Sequence, residues 1–318
     1  MAPKLSFSLK DISKYRSELM GFSIIWIMML HFQFEIVKPL GFIAQYGFAG
    51  VEIFMFVSGL GIYYSLDKNR QIIPYYLKRI RRIFPAYYIV GIFASLFLYN
   101  DNLFIFLFRY TTIGYWIDKP FFEWYIPSII AYYLIAPFFY SILQSRYRAM
   151  IIIFSFFIIA SSFFIARYQY MERIHFFCYY RLPAFLLGMY CGMLCKSNTK
   201  SIKYYYTFLI VGIPFFAIFF PMHHAIYEFK YYSLFFLLPT FMLFFCTASK
   251  YLGIIGQVVK MVGDASLEIY LIQTLFFYAI IQGLIVISHQ WHDIITFTLI
   301  CLCSLLGILM HKSLKLIL

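Results

Sequence analysis

Apolar runs long enough to cross the ~30 Å of hydrocarbon in a bilayer recur about ten times along this chain of 318 residues. They fall roughly at residues 19–38, 48–66, 84–99, 121–143, 149–166, 183–195, 205–220, 231–248, 266–288 and 294–311, the sixth being short. The segment from Leu103 to Trp116 is apolar but contains Arg109, and reads as an interfacial or re-entrant piece. With 63% hydrophobic residues, 12% charged residues and a mean hydropathy of +0.80, no soluble domain fits. The pattern predicts an all-α integral membrane protein of about ten transmembrane helices. It forms a single domain over residues 1–318, with residues 1–18 as a cytoplasmic N-terminal segment.

Charge orients these spans. With the N-terminus inside, about three quarters of the 26 Lys and Arg fall on the inner side, which predicts that both termini are cytoplasmic. The same distribution accounts for the net charge of +13 without nucleic acid, because the basic residues lie between apolar segments and form no single soluble patch. Tyr75-Tyr76, Tyr87-Tyr88, Tyr179-Tyr180 and Tyr231-Tyr232 stand near the ends of apolar runs, where amphipathic rings favour the interface. Most of the six cysteines lie inside apolar runs and read as small hydrophobes, although Cys191/Cys195 and Cys301/Cys303 have pair-like spacing. The first 18 residues lack the apolar core of a signal peptide. No internal repeat or second domain is evident.

Ionisable groups inside spans are functional candidates, and here they are few. His31 lies in the apolar run from Met20 to Phe34. On a helix, Arg16, Met20, Ile24, Ile27, His31 and Glu35 share one face, and His31 stands ~18 Å from the inner end. Glu52 opens the second span at a similar depth. A carboxylate beside an imidazole would fix its tautomer and raise its basicity, so His31 and Glu52 are expected to pair. The densest charge cluster is "YYLKRIRRIFPAYY" (Tyr75 to Tyr88). Helical spacing puts Lys78, Arg81 and Arg82 on one face and Arg79 off it. This cluster reads as a positive-inside stop or as a site gripping polyphosphate. Pro85 is expected to end that helix or to open the next span. Glu268, near the inner end of its span, is a candidate partner for the cluster. Arg181 would hold an anionic group or anchor its helix on the outer side. Ser58 lacks the flanking glycines of a nucleophile elbow. His223-His224 and His289/His292 read as solvated loop histidines, so no metal site is expected.

Six segments in this order resemble the acyltransferase-3 family of integral-membrane acyltransferases. They are "SELMGFSIIWIMMLH", "FAGVEIFMFVSGLGIYYSL", "LKRIRRIFPAYY", "EWYIPSIIAYYLIAPFF", "RLPAFLLGMYCG" and "GDASLEIYLIQT". The resemblance implies a membrane-bound O-acyltransferase. Such an enzyme moves an acetyl group from acetyl-CoA, or another acyl-CoA, to a cell-surface or lipid-linked glycan. His31 would be the essential base and Glu52 its acidic partner. Arg16, Lys78, Arg79, Arg81 and Arg82 would hold the acyl-CoA phosphates, and Glu35, Trp124 and Arg181 would face substrate. Acyl-CoA would be a co-substrate, with no tightly bound cofactor, and the enzyme would sit as a multi-pass protein in the inner or plasma membrane. Two positions depart from the family pattern. Met20 stands where the family often has arginine, and Gln273 where it often has histidine. The rival class is a proton-coupled transporter or flippase of a glycan or lipid precursor, with His31, Glu35 and Glu52 as relay. The inverted repeat it would call for is not evident in the sequence.

Overall fold

A peptide group without a partner in hydrocarbon is costly, so apolar runs must satisfy their backbones internally, as helices. The computed structural model describes residues 9–117, 124–168, 173–196, 210–214, 216–218, 232 and 237–317, and among them there are helices and no strand. In chain order these are α1 (Leu9–Lys14), α2 (Arg16–Phe32), α3 (Lys38–Ala44), α4 (Phe48–Lys68), α5 (Ile72–Ala94), α6 (Leu103–Tyr110) and α7 (Ile113–Ile117). There follow α8 (Tyr125–Gln144), α9 (Met150–Tyr168), α10 (Arg173–Lys196), α11 (Leu238–Ser249), α12 (Gly253–Asp264), α13 (Ser266–Ile281) and α14 (His292–Ile317).

Among the described residues, four segments are long and apolar enough to cross a membrane: Phe48–Lys68, Ile72–Tyr99, Tyr125–Gln144 and His289–Ile317. The pair α12 and α13 makes a fifth if it is taken as one span broken by a 74° bend. At 17 residues, α2 is ~25 Å long, just short of a full crossing. Half of the run expected at 205–220 lies outside the described residues, and 210–214 and 216–218 are helical. α6 and α7, with 8 and 5 residues, are too short to span, as expected for the segment around Arg109.

Two elements differ from the sequence expectation. α5 runs through Pro85 and continues into a π-helical turn at Ser95–Tyr99, so the basic segment and the following span form one helix. Proline there costs one backbone hydrogen bond, and the turn before it is rich in Lys and Arg at an exposed end, where open carbonyls are tolerable. α10 starts ten residues before the expected position 183. Counting apolar residues stops at Arg181, but that charge is neutralised inside the fold by Glu52, so the helix continues through it. The described cysteines are free thiols; four are buried, Cys178 is half-buried and Cys301 is exposed.

α4 is the central helix: 78% of its apolar window is buried, against 28% for that of His289–Ile317. Two reciprocal glycine crossings set the packing. A side chain on Gly59 of α4 would strike the carbonyl of Phe185 on α10, and one on Gly188 of α10 would strike that of Phe56 on α4. In the same way Gly21 of α2 faces the carbonyl of Val259 on α12, while Gly263 of α12 faces that of Ser17 on α2. Small residues let backbones approach where lipid offers no hydrophobic gain for helix association. Two hydrophobic clusters result. One is built around α4, α5, α8 and α10, the other around α2, α12, α13 and α14. Met20, Val51, Tyr125 and Tyr270 pack against both, and so mark the seam between them.

The crossing geometry leads to a sharp contrast. Gly59→Leu, which drives a side chain into backbone, is expected to abolish recovery of folded, monodisperse protein. Gly61→Ala meets only the flexible guanidinium of Arg16 and is expected to shift stability by less than ~1 kcal/mol. Thermal denaturation in detergent checks both.

Candidate active site

The face of α2 predicted from helical spacing is lined by three cavities in succession. The inner one, ~280 Å³, is bounded by Arg16, Lys78, Arg79 and Arg82 together with Ser58, Ser65 and Tyr133. The middle one, ~70 Å³, is bounded by Met20, Ile27, His31, Val51, Phe54, Trp124, Tyr125, Ser266, Leu267 and Tyr270. The outer one, ~480 Å³, is bounded by His31, Gln33, Glu35, His289 and His292 on its polar side and by Ile280, Ile285, Val286 and Ile287 on its apolar side. His31 is a wall of both the middle and the outer cavity.

In the inner cavity the fold corrects the expected faces of the basic cluster. Lys78, Arg79 and Arg82 line it, whereas Arg81 is exposed and outside the lining. The core-facing side of α5 is set by Tyr75, Ile83 and Ala86, which are buried, and Arg79 and Arg82 are the charges flanking that side. Arg79 donates to the Tyr75 carbonyl at 2.8 Å and lies 3.9 Å over the Tyr75 ring. Arg82 forms two bonds to Glu268, at 2.5 and 3.0 Å, and His311 Nδ1 lies 3.0 Å from the same carboxylate. Glu268 is thus a partner of the cluster, as the sequence suggested. Arg82 keeps 42% of its side chain exposed while Glu268 is buried, so the guanidinium still presents charge to the cavity. Arg16 lies against Gly61, within the same chamber.

The expected pair of His31 and Glu52 is not the arrangement found. His31 Nδ1 lies 3.0 Å from Gln273 Oε1, and the imidazole stacks on Phe277 with 4.8 Å between centroids. When Nδ1 carries the proton, this contact is a hydrogen bond to the amide oxygen and Nε2 keeps its lone pair. Glu52 instead accepts from Arg181 at 2.7 Å, with both side chains almost fully buried. The reason is register: the close crossing of α4 on α10 brings Glu52 to face α10, where Arg181 stands, and α2 packs on another side of α4. The Arg181 guanidinium lies 4.8 Å over the ring of Trp124, which in turn lines the middle cavity. Glu52, Arg181 and Trp124 are therefore brought together as the layer behind that cavity. Glu35 faces the outer cavity, 3.5 Å from His292.

Asp293, at the start of α14, fixes the outer rim. Its carboxylate accepts from the successive amides of Glu35, Ile36 and Val37, at 2.8, 3.2 and 2.6 Å. Sequence reasoning missed Asp293, noted Gln273 only as a departure from the family pattern, and set aside His289 and His292. Gln273 had a signal, a polar amide inside an apolar run. Asp293 had none, since its partners are backbone groups distant in sequence. His223-His224 lies outside the described residues.

This is an all-helical membrane protein with a histidine between two cavities and a basic chamber at the other end of the same helix. The sequence model of the acyltransferase-3 family, described as an acyltransferase domain, matches residues 19–311, and the chain belongs to that family. It is similar to a putative acetyltransferase, ORF330, of Acidianus two-tailed virus, with 27% identity over 194 residues. That match covers 58% of this chain and 58% of the relative, so a little over half of each protein is compared. No solved structure matches. Both positions that depart from the family pattern border His31: Gln273 bonds it, and Met20 lines its pocket.

The Glu52–Arg181 pair predicts a specific stability pattern. Removing one partner, as in Glu52→Leu or Arg181→Met, leaves a buried charge and should cost ~3–5 kcal/mol. The double variant should recover most of that loss. A thermal-denaturation double-mutant cycle measures the coupling, and the same cycle run on His31 and Glu52 should show much less.

Proposed function

We propose that the protein is a membrane-embedded O-acyltransferase that moves an acetyl group from acetyl-CoA to a hydroxyl of a cell-surface or lipid-linked glycan. The observation that carries this reading is the order of the cavities along α2: a basic chamber, then a small pocket, then a larger chamber, with His31 shared by the last two. The family match supports acyl transfer as the reaction.

In this reading the nucleotide phosphates lie in the basic chamber against Arg16, Lys78, Arg79 and Arg82, where guanidinium groups grip phosphate through paired donors. Arg16 and His31 are ~22 Å apart along α2, the scale of an extended phosphopantetheine arm. The thioester then reaches His31. The acceptor enters the outer chamber, where Glu35, His289 and His292 offer polar contacts and the isoleucine wall accommodates an apolar portion. His31 Nε2 takes the proton of the acceptor hydroxyl as its oxygen attacks the thioester carbonyl. The tetrahedral intermediate collapses, the carbon–sulfur bond breaks, and the imidazolium returns the proton to the departing thiolate. Glu52 and Arg181 position Trp124 and the pocket wall and do not touch the reacting atoms. In this reading the protein lies in the inner or plasma membrane as a multi-pass chain of about ten spans. Both termini and the basic chamber face the cytoplasm, in line with the distribution of Lys and Arg.

His31→Ala is expected to leave the protein folded and to lower acyl transfer by ~10²–10⁴. Ester analysis of surface glycans, in cells carrying the wild-type or variant gene, reads this; unchanged O-acetylation would refute the assignment. Arg79→Ala should weaken coenzyme A binding by ~10-fold or more, since it removes a charged hydrogen-bond donor from the chamber. Arg81→Ala, outside the lining, should change binding by less than ~3-fold. Ligand-dependent thermal shifts separate the two.

A further inference from the structure

Two side chains donate to the carboxylate of Glu268, and one of them comes from outside the basic chamber. Arg82 Nη1 and Nη2 reach it at 2.5 and 3.0 Å, and His311 Nδ1 lies 3.0 Å from Oε1, the oxygen that takes the shorter arginine bond. An ionised carboxylate only accepts, so Nδ1 carries the proton in that contact. The last helix brings His311 here. A side chain on Gly307 of α14 would strike the backbone of Ile269 on α13, so the two helices touch at that level. His311 stands about one turn beyond Gly307, and Glu268 directly precedes Ile269. The His311 side chain is 13% exposed and is not part of the chamber lining.

The far end of this series of contacts is open. Arg82 lines the chamber and keeps 42% of its side chain exposed, whereas that of Glu268 is 1% exposed. An arginine has many rotamers, and an anion that binds a free one must order it. Glu268 does that ordering in advance. A buried carboxylate in turn needs donors for its oxygens. With His311 present, three N–H groups share that task. Without it the guanidinium must meet the whole demand, and is drawn off the cavity wall towards α13.

We infer that His311 is a positioning residue for the acyl-CoA phosphates: acting through Glu268, it holds the Arg82 guanidinium at the wall of the basic chamber. This deepens the acyl-CoA reading of the site and rests on it. The ring supplies one N–H, and Nε2 makes no hydrogen bond among the described residues. Asparagine, whose amide nitrogen can stand where Nδ1 stands, is able to supply the same bond. Phenylalanine fills the volume and supplies none.

The experiment uses purified full-length protein in nanodiscs, with coenzyme A as the probe. Thermal shifts over a concentration series give its apparent affinity, and the ligand-free melting temperature reports stability separately. His311→Phe should weaken coenzyme A binding by ~5-fold or more, the scale of one hydrogen bond to a charged group. His311→Met, which suits a helix, serves if that variant does not fold. His311→Asn should stay within ~2-fold of wild type. Arg82→Gln keeps a donor for Glu268 but removes the charge, and in that background His311→Phe should change affinity by less than ~2-fold, because both act through one group. Wild-type affinity in the Phe or Met variant, an Asn variant no better than Phe, or an undiminished effect in the Arg82→Gln background overturns the inference and leaves the acyl-CoA reading standing. Failure of coenzyme A to stabilise the wild-type protein overturns that reading and the inference together.

Discussion

The site depends on how closely helix backbones approach one another. Gly59 and Gly188 bring α4 and α10 into backbone contact, and Gly21 and Gly263 do the same for α2 and α12. In a bilayer there is no hydrophobic gain from burying leucine against leucine, so short-range packing carries the association. These two crossings make two tight bundles, and the residues between them cannot all be tightly packed. The middle cavity, lined by Met20, Val51, Tyr125 and Tyr270, opens in that seam. His31 comes to occupy the border because α2 belongs to one bundle while its neighbour α4 belongs to the other.

Around His31 the polar partners are divided with little overlap. The imidazole is oriented by a neutral amide, Gln273, and the buried carboxylate of Glu52 is held by Arg181. A neutral partner fixes the tautomer of the ring without adding a negative charge to the pocket. The charged pair, meanwhile, stabilises the wall behind Trp124. The basic chamber follows a similar logic: Arg82 is partly neutralised by Glu268, while Arg79 braces itself on the Tyr75 ring.

Much of this was legible in the sequence, and the remainder has identifiable causes. The shared face of Arg16, Met20, Ile27 and His31 follows from helical spacing alone, and the cavities lie along it, whereas Glu35 reaches the outer one from the loop beyond Phe32, where the helix ends short of the expected position 38. Glu268 was expected beside the basic cluster and is there. The partner of Glu52 was not legible. Sequence neighbours suggested His31, but the rotation of α4 is set by glycine contacts with a helix some 130 residues later, as the Glu52–Arg181 separation shows. The faces of Arg79 and Arg81 were exchanged because the cluster was read in isolation. Which side of α5 is buried depends on Tyr75, Ile83 and Ala86 meeting the core. Residues such as Asp293, whose partners are backbone amides, leave no trace in side-chain pattern at all.

Asp293 has a further bearing on the outer chamber. By holding the amides of Glu35, Ile36 and Val37 it staples the loop after α2 to the head of α14, and Thr296 adds a bond to the Phe32 carbonyl. The doorway that Glu35 and His292 frame is therefore built like a fixed lintel and not like a hinged flap. In the proposed reading, an acceptor would have to fit the opening as it stands, and selection among acceptors would act by shape at the threshold, before it reaches His31.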